Sequence, residues 1–172
     1  GELLRQAANY QVRAILLTHA HFDHMGGLDQ IRKKTGAPVY IHHSEQEWLT
    51  NPDLNGSSRW PMIGGAMTTE RAEYEIKEGD VLVLAGLNIR VLETPGHTPG
   101  GVSFLIDNEL FSGDTLFAHS IGRTDLPGGN YEQLIQSIQD KLMPLPEDTR
   151  VYPGHGPDTT IGFEKLHNPF IA

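Results

Sequence analysis

Four short segments of this 172-residue chain hold most of the side chains that could do chemistry. They are Thr18-His19-Ala20-His21-Phe22-Asp23-His24, Thr94-Pro95-Gly96-His97-Thr98-Pro99-Gly100, Ser112-Gly113-Asp114-Thr115 and Tyr152-Pro153-Gly154-His155-Gly156. Each follows an apolar run, and the last three are turns rich in Gly or Pro. Together they offer the imidazoles of His19, His21, His24, His97 and His155 and the carboxylates of Asp23 and Asp114. The chain has no cysteine, so thiolate ligands, disulfides and cysteine nucleophiles are all excluded. Imidazole and carboxylate without thiolate suit zinc, iron or manganese.

The spacing suggests how such donors would be used. Side chains two apart on an extended chain share a face, so His19 and His21 can chelate one ion. Asp23 and His24 lie just beyond and can reach a second. One carboxylate can then serve both, and Asp114 is the natural candidate. Two cations a few ångströms apart hold a water and lower its pKa from ~16 towards ~7, which makes hydroxide at neutral pH. A serine nucleophile is then unnecessary, and no G-x-S-x-G segment is present. The bland alternative is that these are ordinary turn residues. It is weak for His19 to His24, where three His and one Asp in six residues have no common packing use. It is stronger for His97, His155 and Asp114 taken singly. They gain weight because they supply the ligands the first segment lacks.

The elements that must position these groups can be read from patterning. Residues 2–10 suit a short helix, and 12–17 a buried strand. Residues 28–35 suit a helix with Gly36 just past its end, followed by a strand over 38–41. Ser44-x-x-Glu47 reads as a capping box opening a helix through Trp48 and Leu49. Residues 51–69 are a long irregular excursion, a length that is often functional. Residues 81–84 and 89–92 form a hairpin about 85–88, and 102–106 with 110–111 form another about Asp107-Asn108. Tyr131, Leu134, Ile135, Ile138 and Leu142 fall at helical spacing behind an Asn130 cap, with Gln133 reaching back. Residues 150–152 make a last strand. Paired strands with helices between them predict an α/β fold with a mixed or antiparallel sheet, more in keeping with two sheets than with one doubly wound sheet.

Composition narrows the partners. Thirteen Lys and Arg against 22 Asp and Glu give a net charge of −9. That argues against a surface built to neutralise nucleic-acid phosphates or anionic lipid. No run approaches the ~20 apolar residues of a membrane helix, and no leader peptide is visible, so the expectation is a cytoplasmic chain.

H-x-H-x-D-H at residues 19–24, with T-P-G-H, S-G-D-T and P-G-H-G further on, resembles the metallo-β-lactamase superfamily. Within it the chain is similar to the hydroxyacylglutathione hydrolases (glyoxalase II) and their single-domain relatives, also in Ser120-Ile121-Gly122-Arg123-Thr124-Asp125 and Asn168-Pro169-Phe170. The resemblance implies an αββα sandwich with a dinuclear site at one edge of its sheets. His19, His21 and His97 would bind one metal, Asp23, His24 and His155 the other, with Asp114 bridging and Asp23 and Asp114 serving catalysis. The expected cofactors are two divalent ions, zinc first, with iron or manganese as alternatives. The implied activity is hydrolysis of a small acyl thioester by a metal-bridging hydroxide. The rivals are a persulfide dioxygenase-like mononuclear iron enzyme and a non-catalytic metal-binding domain. A β-lactamase of the commonest metal type would need a Cys ligand. Only 17 residues follow His155, so the expectation is that the helical C-terminal domain that helps hold glutathione in two-domain enzymes is absent.

The chain starts on Gly1, with one helix and no strand expected before residue 12. The expectation is therefore a single domain over 1–172 that lacks the N-terminal strands of its fold, with an exposed sheet edge through which copies could associate. His42 and His43 read as a solvated helix entrance and His119 as a residue near the site or on the surface. Arg123 with Asp125 reads as a pair bracing the loop after Asp114, residues 51–69 as a lid or a plain excursion, and Glu70, Glu73, Glu75 and Glu78 as a solvated face.

Overall fold

The apolar runs become strands, but the first of them is far shorter than its pattern. A computed structural model describes residues 1–171, with Ile63 described by its backbone. The chain divides into two compact units, Gly1–Ile76 and a second beginning at Lys77. Among the described residues, no helix is long and apolar enough to cross a membrane.

In the first unit, α1 (Glu2–Ala7) precedes β1 (Ile15–Leu16). The segment after β1 is not all loop, because α2 (Phe22–Met25) forms one turn within it. Helix α3 (Leu28–Thr35) ends as its sequence predicts. Gly36 takes the left-handed φ of 69°, and its N–H reaches the Arg32 carbonyl at 2.8 Å. Strands β2 (Val39–His42) and β3 (Tyr74–Ile76) complete a parallel sheet of order β1-β2-β3. Val39 and Ile41 on β2 are fully buried and pack with Leu17, Ala20, Met25, Leu28, Trp48 and Leu49.

The expected capping box does not form. His42 Nδ1 accepts the Ser44 N–H at 3.2 Å, and 3₁₀ turns at His43–Glu45 and Glu47–Leu49 replace the helix. The 51–69 excursion is organised from within. Its helix α4 (Pro52–Asn55) is capped by the Asn51 side chain. The fully buried Asn55 amide donates to the Trp48 and Met67 carbonyls, both at 2.9 Å. Glu73 is also more than a solvated residue. Its carboxylate accepts the Val39 N–H at 2.7 Å and pairs with Arg32 at 3.2 Å. Burial raises the Glu73 pKa, but these bonds and the Arg32 charge outweigh it and hold it below the ordinary value.

In the second unit, β4 (Val81–Leu84) and β5 (Leu87–Glu93) form the expected hairpin. Its turn is tighter than expected, a two-residue loop with Ala85 and Gly86 at φ 51° and 78°. Strands β6 (Val102–Ile106) and β7 (Glu109–Gly113) follow. A small hairpin, β8 (Leu116–Phe117) with β9 (Ser120–Ile121), lies outside the main sheet. Asn130 caps α5 (Tyr131–Ser137) by accepting the Gln133 N–H at 2.9 Å. A wider turn at Ile138–Leu142 continues that helix. Strand β10 (Arg150–Pro153), β11 (Thr159–Thr160) and α6 (Ile161–His167) end the described chain. The sheet runs β11-β10-β7-β6-β5-β4, antiparallel except where β10 lies parallel to β7. That pair needs a crossover, which α5 supplies. Leu134, Ile138 and Leu142 bury against Leu92, Leu110, Val151 and Ile161, each contributing about 1.5–3 kcal/mol of apolar burial.

The turn before His97 is pressed onto this helix. Gly96 has a φ of 139°, and a Cβ there would lie 2.4 Å from the Leu134 backbone nitrogen and Cα. Gly96→Ala should therefore destabilise the protein by about 3 kcal/mol or more, through a disfavoured φ and an overlap with rigid backbone. Thermal unfolding measures this, and an unchanged midpoint would mean that the helix does not hold the turn.

Candidate functional site

Each unit gathers its own donors. In the first, β1 ends at Leu16 and the Leu17 N–H makes one more bond, to the Tyr40 carbonyl at 3.0 Å. His19 and His21 therefore stand beyond the sheet and not on its last residues. Both are buried, and their rings meet edge to face with centroids 5.0 Å apart. The His24 ring lies 4.0 Å from that of His19, and its Nε2 is 3.5 Å from Asp23 Oδ2. His21 is the residue before α2, so Asp23 and His24 are carried on a helical turn. The Thr18 hydroxyl lies 3.0 Å from His19 Nδ1.

In the second unit, two imidazoles close on one carboxylate oxygen. Asp114 Oδ2 is 3.4 Å from His97 Nε2 and 3.3 Å from His155 Nε2. The parallel ladder explains the meeting of Asp114 and His155. Pro153 on β10 is in register with Gly113 on β7, and the Gly154 N–H reaches the Gly113 carbonyl at 2.7 Å. Both residues thus leave the same end of adjacent strands. His97 is set by its other ring nitrogen, since Nδ1 lies 2.7 Å from the Arg123 carbonyl. A carbonyl only accepts, so Nδ1 carries the proton, and the Nε2 lone pair faces the carboxylate. Lone pairs of imidazole and carboxylate aimed at the same space, with the imidazole tautomer fixed from behind, are what a divalent cation requires. Behind them the buried hydroxyls of Thr94, Ser103 and Thr115 form a chain at 2.9 and 3.3 Å.

Arg123 and Asp125 form the expected pair, with two bonds at 2.7 and 2.8 Å. Those hydrogen bonds pull the Asp125 carboxyl down to about 2 from an ordinary 3.8, although both side chains are exposed. The pair braces the loop whose carbonyl fixes His97. His42 Nδ1 accepts the Ser44 N–H at 3.2 Å and lies 2.8 Å from the Ser44 hydroxyl, so this ring is tied to the turn that follows β2. His119 is exposed in the β8–β9 turn at a φ of 63°, a strained value for a residue with a side chain.

Of three further positioning residues, Glu45 and Glu164 have no counterpart in the sequence reading. Glu45 is fully buried and accepts the Ala20 N–H at 2.8 Å. Glu164, also fully buried, accepts the His119 N–H at 2.7 Å and the Thr159 hydroxyl at 2.6 Å. Gly122 leaves room for the Asp114 carbonyl, which a Cβ there would meet at 1.7 Å. A lone acidic residue in a short amphipathic segment carries no periodicity to betray its burial. Gly122 was visible only as part of the Gly-Arg-x-Asp stretch.

The sequence model of one family, described as the metallo-beta-lactamase superfamily, matches residues 2–155. The chain is 48% identical over 161 residues to the probable metallo-hydrolase YqgX of Bacillus subtilis, covering 92% of this chain and 75% of that protein. It is 39% identical over 163 residues to the hydroxyacylglutathione hydrolase GloC of Haemophilus influenzae, covering 93% and 76%. Among solved structures, the BLEG-1 B3 metallo-beta-lactamase superposes with a TM-score of 0.92 at 46% identity, covering 99% of this chain and 82% of that one. The protein TTHA1623, in a di-iron-bound form, superposes with a TM-score of 0.81 at 38% identity, covering 98% and 82%.

The ion pair at the His97 loop gives a pH test. A carboxyl held below its ordinary pKa favours the folded state above that ordinary value. The advantage fades as pH falls towards about 2. Arg123→Gln should return Asp125 to titration near ~3.9, followed through its carboxyl carbon by NMR. A midpoint that stays at about 2 would show that Arg123 is not its cause.

Proposed function

Because this chain belongs to the metallo-β-lactamase superfamily and has its α/β fold, we propose that it is a metal-dependent hydrolase of small acyl thioesters of the hydroxyacylglutathione type. Hydrolase chemistry and divalent-metal binding are the family's. The thioester reading is supported by the likeness to GloC. The observation that carries the reading is the single Asp114 oxygen set between two imidazole nitrogens. We assign His19, His21 and His97 to one ion and Asp23, His24 and His155 to a second, with Asp114 shared. Zinc suits this nitrogen-rich set, and iron is the alternative that the di-iron neighbour supports.

When bound, such ions polarise a carbonyl and lower the pKa of water. The protein's own part is positioning. The Arg123 carbonyl fixes the tautomer and plane of the His97 ring. The Thr18 hydroxyl, which can donate or accept, stands against His19 Nδ1 at 3.0 Å and orients that ring. Asp23 is more exposed than Asp114, and we assign its carboxylate the role of taking a proton during turnover. Arg123, exposed on this loop, offers a cation to a substrate carboxylate when not engaged by Asp125.

A second reading is β-lactam hydrolysis, favoured by the likeness to BLEG-1 at 46% identity. The same water chemistry would serve a strained amide. The two are separated by assaying S-lactoylglutathione and a chromogenic cephalosporin with one preparation whose metal content has been measured.

Asp114→Ala should remove at least one equivalent of metal and lower thioesterase kcat/KM by more than ~100-fold, beyond the 10–100-fold typical of residues behind the ligands. Asp23→Ala should cost less, because Asp23 serves one ion. Elemental analysis beside the kinetics decides this. Equal, mild losses with metal content unchanged would remove Asp114 from the shared position. Chelation of wild-type protein should abolish turnover, and added zinc or iron should restore it.

A further inference from the structure

The sheet releases the chain before it reaches its first two histidines. The last backbone bond of the β1–β2 ladder joins the Leu17 N–H to the Tyr40 carbonyl at 3.0 Å. Two residues later comes His19, and two further His21. Nothing in the ladder fixes the peptide that links them. A side chain does so instead. Glu45 Oε1 accepts the N–H of Ala20, the residue between the two histidines, at 2.8 Å. Both Glu45 and Ala20 are fully buried. Glu45 lies in the 3₁₀ turn His43–Glu45, which follows β2 directly. The strand that pairs with β1 therefore also sends the group that holds the chain beyond β1. The next turn, Glu47–Leu49, adds a second grip, because the buried Trp48 ring lies 5.8 Å from that of His21.

Glu45 reaches the Ala20 N–H from the end of a two-methylene side chain, and that reach sets where the peptide lies. A fixed position has value where a peptide must keep two imidazoles at chelating separation. His19 and His21 are themselves buried, so a rotation of the Ala20 peptide would move both rings within packed surroundings.

We propose that Glu45 is a positioning residue that tethers the Ala20 amide and so holds His19 and His21 at the spacing one metal ion requires. The proposal rests on the reading of those histidines as ligands. The effect of Glu45 is on metal affinity and on the geometry of the bound ion.

Two variants separate the tether from the charge. Glu45→Gln keeps an acceptor at full reach and removes the charge. Glu45→Asp keeps the charge and draws the acceptor back by one methylene. The full chain is stripped of metal, and Zn²⁺ affinity is measured by competition with a chromogenic chelator. Cobalt-substituted protein is examined for its visible d–d bands. Glu45→Gln should bind within a few-fold of wild type, with similar bands. Glu45→Asp should bind ~10–100-fold more weakly, the range for residues that orient ligands, with weakened or shifted bands. Glu47→Gln, exposed on the same segment, should match wild type. Thermal unfolding of the metal-free forms separates loss of fold from loss of geometry, and a proposal about geometry requires that Glu45→Asp remain folded. The opposite order, with Asp retaining affinity and Gln losing it, would make the charge rather than the tether responsible. Both variants binding as wild type would also overturn the proposal. Failure of the wild-type protein to take up metal would remove the ligand reading itself, a result distinct from either.

Discussion

Groups that bind a cation repel one another until it arrives. Asp114 Oδ2 lies 3.3 and 3.4 Å from two imidazole nitrogens, and the His97 lone pair is turned towards it by a bond from behind. Such a cluster relaxes apart unless each member is fixed by something other than its neighbours. Much of the polar architecture of both units answers that need. The Arg123 carbonyl fixes His97, the Thr94–Ser103–Thr115 hydroxyls back the turn and the Asp114 segment, and Gly122 lets the Asp114 backbone close in. In the first unit Glu45 does the same for the peptide between His19 and His21.

The donors were legible in the sequence because their chemistry is concentrated. Three His and one Asp in six residues, then three turns each offering one His or Asp, form a pattern with few structural uses. The second-unit sheet was legible because its strands are long and separated by turn residues, as at Ala85-Gly86 and Asp107-Asn108. Helix α5 showed itself through five apolar residues at helical spacing and its Asn130 cap. The first unit was harder to read. Residues 12–17 form a strand of only two residues, because pairing with β2 covers Ile15 and Leu16 alone. Ser44 did not cap a helix, because His42 Nδ1 took its N–H first. Residues 159–167 showed nothing, since a two-residue strand and a seven-residue helix are too short for period to emerge.

The polar residues behind the donors follow a different rule from the donors. Glu45, between Ser44 and Gln46, and Glu164, beside Lys165, look like surface residues in the sequence, yet both are fully buried and both accept backbone N–H groups. A carboxylate is the acceptor that a short loop can borrow when no strand is near. In the 51–69 excursion the converse need, for donors to loop carbonyls, is met by an amide, with the Asn55 side chain donating to the Trp48 and Met67 carbonyls. These loops thus have ordered interiors without regular structure.

The parallel pairing of β10 with β7 has a consequence for how this sequence can vary. Asp114 and His155 each stand within two residues of the paired positions Gly113 and Pro153. A strand advances about 3.3 Å per residue and reverses side with each step. An insertion of one residue between Gly113 and Asp114, or between Pro153 and His155, would turn a donor away from its partner. The stretch between Leu142 and β10 supplies no donor, and the register of β10 fixes where it must end. Length changes in natural variants should therefore collect in that connection, while the count from strand to donor stays fixed.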